Sequence, residues 1–162
     1  MRNKPLSEFA KTIEKQKNFI MSKSKIAITT DAVIFQLKKG EFQLLLIKRK
    51  NEPFKGEWAL PGGFLEEDEL LLEGCKRELE EETSLKIDVL QRVGIYDAIG
   101  RDPRGRMISV AFTASVKNST AVKAKDDAEE VFWFPTKELP ELAFDHLQII
   151  KDAAKLLQIT LS

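Results

Sequence analysis

Residues 63–85 read GFLEEDELLLEGCKRELEEETSL, a glycine followed by an acid-rich segment in which apolar and charged positions recur with helical spacing. Leu71, Cys75 and Leu79 stand four residues apart with Leu72 beside them, and this spacing predicts a helix with one buried stripe. Glu78 and Glu82 are separated by one helical turn and Glu81 lies between them, so the three carboxylates project from one face, off that stripe. Like charges packed this tightly destabilise a helix unless something positive sits between them. A hard divalent cation meets that need: Mg2+, with Mn2+ as the alternative, takes one or two carboxylates together with a phosphate oxygen. A solvated acidic face is the ordinary meaning of such a run, so the order of the residues has to decide.

That order is specific. Gly63, Glu69, Arg77, Glu78, Leu79, Glu81, Glu82 and Leu85 fill the pattern Gx5Ex7REUxEExGU, with U an aliphatic residue, at every position but one. The pattern is the signature of the Nudix hydrolases, which cleave a diphosphate linked to another moiety, and the chain resembles that family. The resemblance implies an α/β/α sandwich built on a mixed sheet. Ser84 stands where the pattern has its second glycine. In the family that glycine follows the helix, where a left-handed backbone is favoured, so serine is expected to cost about 1 kcal/mol of local stability.

The flanking sequence supplies strands. Ile26 to Gln36 and Phe42 to Arg49 are apolar, β-branched-rich runs separated by Lys38, Lys39 and Gly40, which reads as a hairpin. Trp58 to Leu60 leads into Pro61, Gly62 and Gly63, a breaker cluster expected to end the strand and bend the chain into the helix. Ile87 to Tyr96, Met107 to Val116 and Val131 to Phe134 read as further strands, and Ala143 to Leu157 as a second amphipathic helix. Strands interspersed with two well-separated helices fit a sheet covered on both faces.

With 162 residues, the chain can bury roughly 70% of the surface its unfolded form exposes, enough for one core. Its 26 basic and 26 acidic side chains balance, which gives no global attraction to nucleic acid or to an anionic membrane. A single cysteine excludes an internal disulfide, and Cys75 on the apolar stripe reads as a small core residue. No apolar run reaches membrane-spanning length and there is no secretory signal, so the cytoplasm is the expected compartment. Residues 1–24 stand apart from the domain at 25–162: lysine-rich, with Phe9, Ile13 and Ile20 near helical spacing, they read as an amphipathic helix laid over the domain or over the partner subunit of a homodimer.

The resemblance also implies the chemistry. Glu78, Glu81 and Glu82, with the backbone carbonyl of Gly62, are the expected metal ligands; Arg77 and Glu69 orient them, Glu69 from nearly the same helix face. The attacking water needs a proton acceptor. Family members that cleave ADP-ribose often take it from outside the box, and the segment Lys125 to Phe134 offers Glu130, then Glu129, with Asp126 and Asp127 as alternatives.

Substrate choice rests on other segments. Arg101 to Arg106 reads RDPRGR, either a solvated turn or a polar clamp in which Arg101, Asp102, Arg104 and Arg106 hold a phosphate or ribose. The stretches YDAIGRDPRGRMISVAF, PFKGEWALPGGFLE and LAFDH resemble the ADP-ribose pyrophosphatase branch of the Nudix family and its sensor relatives. Tyr96 and Phe54 are aromatics that suit adenine stacking. Asp145 and His146 are placed to cap and line the last helix. The expected function is metal-dependent hydrolysis of ADP-ribose to AMP and ribose 5-phosphate. The alternatives are another nucleoside diphosphate derivative, such as NADH, a nucleotide sugar or a damaged nucleoside triphosphate, and an ADP-ribose-sensing module.

Overall fold

The computed structural model describes residues 25–117, 122–124 and 128–161. Residues 1–24 and Asp126 and Asp127 lie outside the described residues. Strand β1 (Ala27–Lys38) turns into β2 (Glu41–Arg49) through Lys39 and Gly40, both at positive φ, the backbone a two-residue hairpin loop requires. The strands β3 (Trp58–Ala59), β4 (Gly62–Phe64), β5 (Gln91–Tyr96), β6 (Met107–Lys117) and β7 (Ala128–Pro135) complete a sheet in the order β3-β2-β1-β6-β5, with β4 also on β1 and β7 also on β2. β1 and β6 run parallel and the other pairs antiparallel, so the sheet is mixed.

Because side chains alternate along a strand, β1 feeds two cores. Val33 and Phe35 pack with Leu44 and Leu46 against Ile149, Ile150 and Ala153 of helix α2 (His146–Leu156). Ala32 and Ile34 face the other way, with Leu45, Val110 and Phe112, against Cys75 and Leu79 of helix α1 (Leu71–Thr83). Each fully buried Leu, Ile or Phe contributes roughly 1.5–3 kcal/mol, which is why the helices clamp the sheet from both faces. The result is the expected α/β/α sandwich. No helix among the described residues is long and apolar enough to cross a membrane.

Several boundaries differ from the sequence reading. Gly62 and Gly63 do not end the sheet; they form β4 against Thr30 and Asp31, and the chain bends toward α1 only after Phe64. Glu69 consequently precedes α1 rather than riding on its face. The strand expected from Ile87 starts at Gln91, where β6 first offers a partner; Leu85, Ile87 and Leu90 instead pack over the α1 core. The second helix starts at His146, because Phe144 takes a left-handed backbone and the Ala143 N–H is committed to the Trp58 carbonyl.

Ser84 adopts the left-handed conformation that the glycine position demands, donates its N–H to the Glu80 carbonyl at 2.8 Å, and sends its hydroxyl to the Lys123 carbonyl at 3.2 Å. Ser84→Gly is expected to stabilise the protein by about 1 kcal/mol, since the left-handed strain exceeds one exposed hydrogen bond. Calorimetry should show the melting temperature rising by roughly 2–4 °C. A fall would mean that the bond to Lys123 outweighs the strain.

Candidate active site

The turn from β3 into β4 places three backbone units, Pro61, Gly62 and Gly63, against the inner face of α1. Pro61 offers its carbonyl to the Ala32 N–H and Leu65 its N–H to the Ile28 carbonyl, so Gly62, opposite Asp31, falls at a non-hydrogen-bonded position of the β1–β4 ladder. Its backbone groups turn away from β1, and its N–H meets Glu82 Oε2 at 2.9 Å. The carbonyl of an extended residue points to the same side as its N–H, so Gly62 aims an oxygen toward that acid. Two glycines are required for this approach. A Cβ on Gly62 would lie 2.1 Å from the Thr30 carbonyl oxygen, and one on Gly63 2.4 Å from the Glu78 carboxylate.

Glu82 is 5% exposed and lies on the buried side of α1, although the stripe Leu71–Cys75–Leu79 had left the acids outside. Glu78 is also largely buried, and that burial pushes its carboxyl above the ordinary range, while Arg77 pulls it back. Glu81 is half exposed. Among the described residues no three His, Cys, Asp or Glu side chains converge closely enough to hold a metal ion by themselves. The acids that helix spacing groups together thus divide, with Glu78 and Glu82 on the cleft wall and Glu81 at its edge.

Arg77 is the hub beside them. Its Nε and Nη2 donate to the two Glu69 oxygens at 3.0 and 2.7 Å, Nη1 donates to Glu78 at 2.8 Å and Glu81 at 3.1 Å, and Nη2 reaches the Phe64 carbonyl at 3.0 Å. The paired hydrogen bonds hold the Glu69 carboxyl below the usual carboxylate range. Glu69 reaches Arg77 from the loop ahead of α1 and also accepts the Glu66 N–H at 2.9 Å.

The cleft of about 270 Å3 bounded by Glu78, Glu82, Gly62 and Gly63 shares Arg49, Gly62, Gly63 and Phe64 with an adjoining polar recess lined by Asp31, Arg101, Asp102, Arg104, Phe144 and His146. Acids for a cation therefore adjoin guanidinium groups for an anion. Arg101, expected in solvent or on a phosphate, is buried and locked to Asp145 by two bonds of 2.9 and 2.6 Å. Asp145 is consequently at the α2 N-cap position without capping through its side chain. Arg104 folds back on buried Asp102, with Nη2–Oδ2 at 2.6 Å, and its guanidinium lies 5.0 Å from the Phe64 ring centre and 5.7 Å from that of Phe144.

Other expected site residues stand elsewhere. Arg106 binds the Asp97 carbonyl and lies off the cleft walls. Tyr96 donates its hydroxyl to Asp152 at 2.9 Å, and Phe54 packs edge-on behind Phe144 with centroids 4.7 Å apart, so neither lines the cleft. Glu130 pairs with Lys48 at 2.8 Å across β2 and β7, and Glu129 is exposed. Cys75 is buried, and burial pushes its thiol far up, as befits a core residue. Asp31, Arg49 and Phe64 were not singled out from sequence. Each sits inside or just beside a strand, and only the sheet register carries it to the cleft.

The family model for the NUDIX domain matches residues 26–153. The ADP-ribose pyrophosphatase of Methanocaldococcus jannaschii is 47% identical over 126 residues, covering 78% of this chain and 72% of that protein. The ADPR responsive transcriptional repressor NtrR of Acinetobacter baylyi is 35% identical over 130 residues, 78% of this chain, and the chain spans 52% of that relative's length. Among solved structures, the NUDIX domain of Shewanella oneidensis NrtR complexed with ADP ribose matches with a TM-score of 0.77 at 31% identity, covering 88% of this chain and 98% of that one.

Proposed function

The chain belongs to the NUDIX domain family and is a hydrolase, and on that premise we propose that it cleaves the diphosphate of ADP-ribose to AMP and ribose 5-phosphate with a divalent cation, Mg2+ or Mn2+. The observation that carries the reading is the shared wall of two cavities: the acid wall of Glu78 and Glu82 adjoins the Arg101–Asp102–Arg104 recess across Gly62, Gly63 and Phe64, so a diphosphate on the first places a ribose beside the second. The name of the archaeal relative supports the choice of substrate.

The donor set fits such a cation. Glu78, Glu82 and the Gly62 carbonyl are hard oxygens gathered at one wall, and Mg2+ completes its shell with water and phosphate oxygens. A divalent cation held there supplies positive charge against the phosphate oxygens. Gly62 and Gly63 bring the backbone close enough to share that wall. Arg77 keeps Glu78 and Glu81 in fixed rotamers, and Glu69 anchors Arg77 in turn. Phe64 and Phe144 wall the recess with apolar surface, which strengthens the Arg104 charge toward a bound anion.

The test is a panel of diphosphates, with ADP-ribose, NADH, a nucleotide sugar and an oxidised nucleoside triphosphate, assayed for products with and without added Mg2+ after chelation. ADP-ribose should give the highest kcat/KM, and chelation should abolish turnover. A second reading, ADP-ribose binding without turnover, draws on the similarity to the Acinetobacter repressor. Saturable ADP-ribose binding with no AMP formed under any metal, alongside turnover of another diphosphate of the panel, would establish it.

Arg104 and Arg106 separate in this arrangement. Arg104→Ala is expected to raise the KM for ADP-ribose, lowering catalytic efficiency by roughly ten- to a hundredfold through loss of one charge-assisted contact. Arg106→Ala, away from the cleft, should leave the kinetics near parent values. The reverse ranking would move the substrate to the Asp97 side of the loop.

A further inference from the structure

His146 is a buried ionisable side chain for which the chemistry above has no use. It is 5% exposed at the first residue of α2, and its Nδ1 accepts the Leu60 N–H at 3.0 Å. An accepting Nδ1 carries no proton, so the ring's N–H is on Nε2, which lies 3.7 Å from Asp31 Oδ1. Asp31 is fixed in turn by the Ser109 hydroxyl, and the Phe144 ring lies 5.1 Å from the imidazole. The ring is therefore held by an acceptor contact on one edge and a carboxylate on the other.

What it holds is the corner between β3 and β4. That corner is Leu60 and Pro61, and Pro61 has no N–H, so Leu60 supplies the corner's one backbone donor. Leu60 is 2% exposed, out of reach of water, and His146 is its partner. Immediately beyond, Gly62 points its N–H at Glu82 and its carbonyl to the same side. Asp31, the other neighbour of the imidazole, has Oδ1 2.8 Å from where a Gly62 Cβ would stand. Both edges of the ring thus bear on the peptide that faces the acids.

We propose that His146 is a positioning residue for the cation site: through Leu60 and Asp31 it fixes the aim of the Gly62 backbone at the wall formed by Glu78 and Glu82. The inference rests on the reading of those three residues as cation ligands. An apolar side chain of the same volume would fill the space but leave the Leu60 N–H buried without an acceptor, a penalty the corner can escape only by shifting. The shift would be felt at Gly62, where a few tenths of an ångström separate a good ligand from a poor one.

The experiment compares the parent with His146→Leu, His146→Gln and His146→Asn. Asn places its amide oxygen where Nδ1 stands, whereas Gln places its amide at Nε2, beyond Leu60. Mn2+ binding is titrated by electron paramagnetic resonance, and the exchange of the Leu60 amide is followed by NMR on metal-free protein. The Leu and Gln variants should lose protection at Leu60 and bind Mn2+ about tenfold or more weakly, the effect expected when a metal ligand loses its support, with Asn within about threefold of the parent. If the Leu variant does not fold, the comparison of Gln with Asn carries the test, since both put an uncharged amide into the same space and differ in whether it reaches the Leu60 N–H. Parent-like Mn2+ affinity in folded Leu or Gln variants overturns the inference, as does a Leu60 amide that exchanges freely in the parent. A parent that binds no Mn2+ removes the cation reading itself, and this inference with it.

Discussion

Replacing Glu82 by Gln is expected to lower turnover of ADP-ribose by at least about a hundredfold, a loss of roughly 3 kcal/mol of transition-state stabilisation. Glu82 is nearly fully buried on the inner side of α1, and its carboxylate already accepts the Gly62 N–H. Gln has the same shape and keeps an acceptor for that N–H, so the β4–α1 contact should survive and the melting temperature should change little. What disappears is the negative charge that draws a divalent cation to the wall beneath the diphosphate. The loss should appear in kcat at saturating substrate and in weaker Mn2+ binding, both measured on the same preparation. Equal turnover in variant and parent would take Glu82 out of the site and leave Glu78 with the carbonyl of Gly62.

How far the sequence reached depends on the kind of signal. The hairpin of β1 and β2 was legible because two apolar, β-branched-rich runs and the short turn between them are both local signals. Helix α1 was legible for the same reason, and so was the left-handed position at Ser84. The strand β4 was missed, because a Pro-Gly-Gly run reads as a breaker; here the glycines serve instead to let β1 and Glu78 approach the backbone. Helical spacing puts Glu82 off the buried stripe, and its burial goes unannounced there because it comes from β4 lying against α1, which leaves no mark on helical periodicity.

The RDPRGR loop shows the other limit. Spacing announced a turn with several arginines but not their different fates. Arg101 is consumed by Asp145 at the N-cap position of α2, Arg104 is laid against Phe64 and Phe144, and Arg106 is drawn to Asp97. Each partner is distant in sequence or fixed by the loop's own path, so three chemically identical side chains end in three environments. Glu130 is similar: the β2–β7 register places Lys48 directly opposite it, a pairing that appears only when the strands are aligned.

Arg77→Met should destabilise the fold by about 3 kcal/mol at neutral pH and lower turnover at least about tenfold, because it leaves two largely buried carboxylates without their counterion. Glu69 and Glu78 retain only 13% and 16% of their side-chain exposure, and Arg77 spans both while also holding Glu81 and the Phe64 carbonyl. Arg77→Lys restores the charge, but one ammonium cannot supply the paired donors to Glu69 and also reach Glu78, so it should recover only part of both losses. The pH dependence separates charge from packing. In the parent, Arg77 holds the Glu69 carboxyl below its ordinary value of 4.5, so this group adds stability above the carboxylate range that is lost as pH falls through the depressed value. Burial has the opposite effect on Glu78, whose ionised form is unfavourable and is relieved by acid. Removing Arg77 takes away the first contribution and worsens the second, so the variant's deficit should be greatest near neutrality and shrink as both carboxyls take up protons. Urea unfolding of parent and variant across this range measures the deficit directly. A deficit that stays constant into acid would show that Arg77 stabilises the helix through its aliphatic stem, and that the carboxylates of the cleft are held in place by something else.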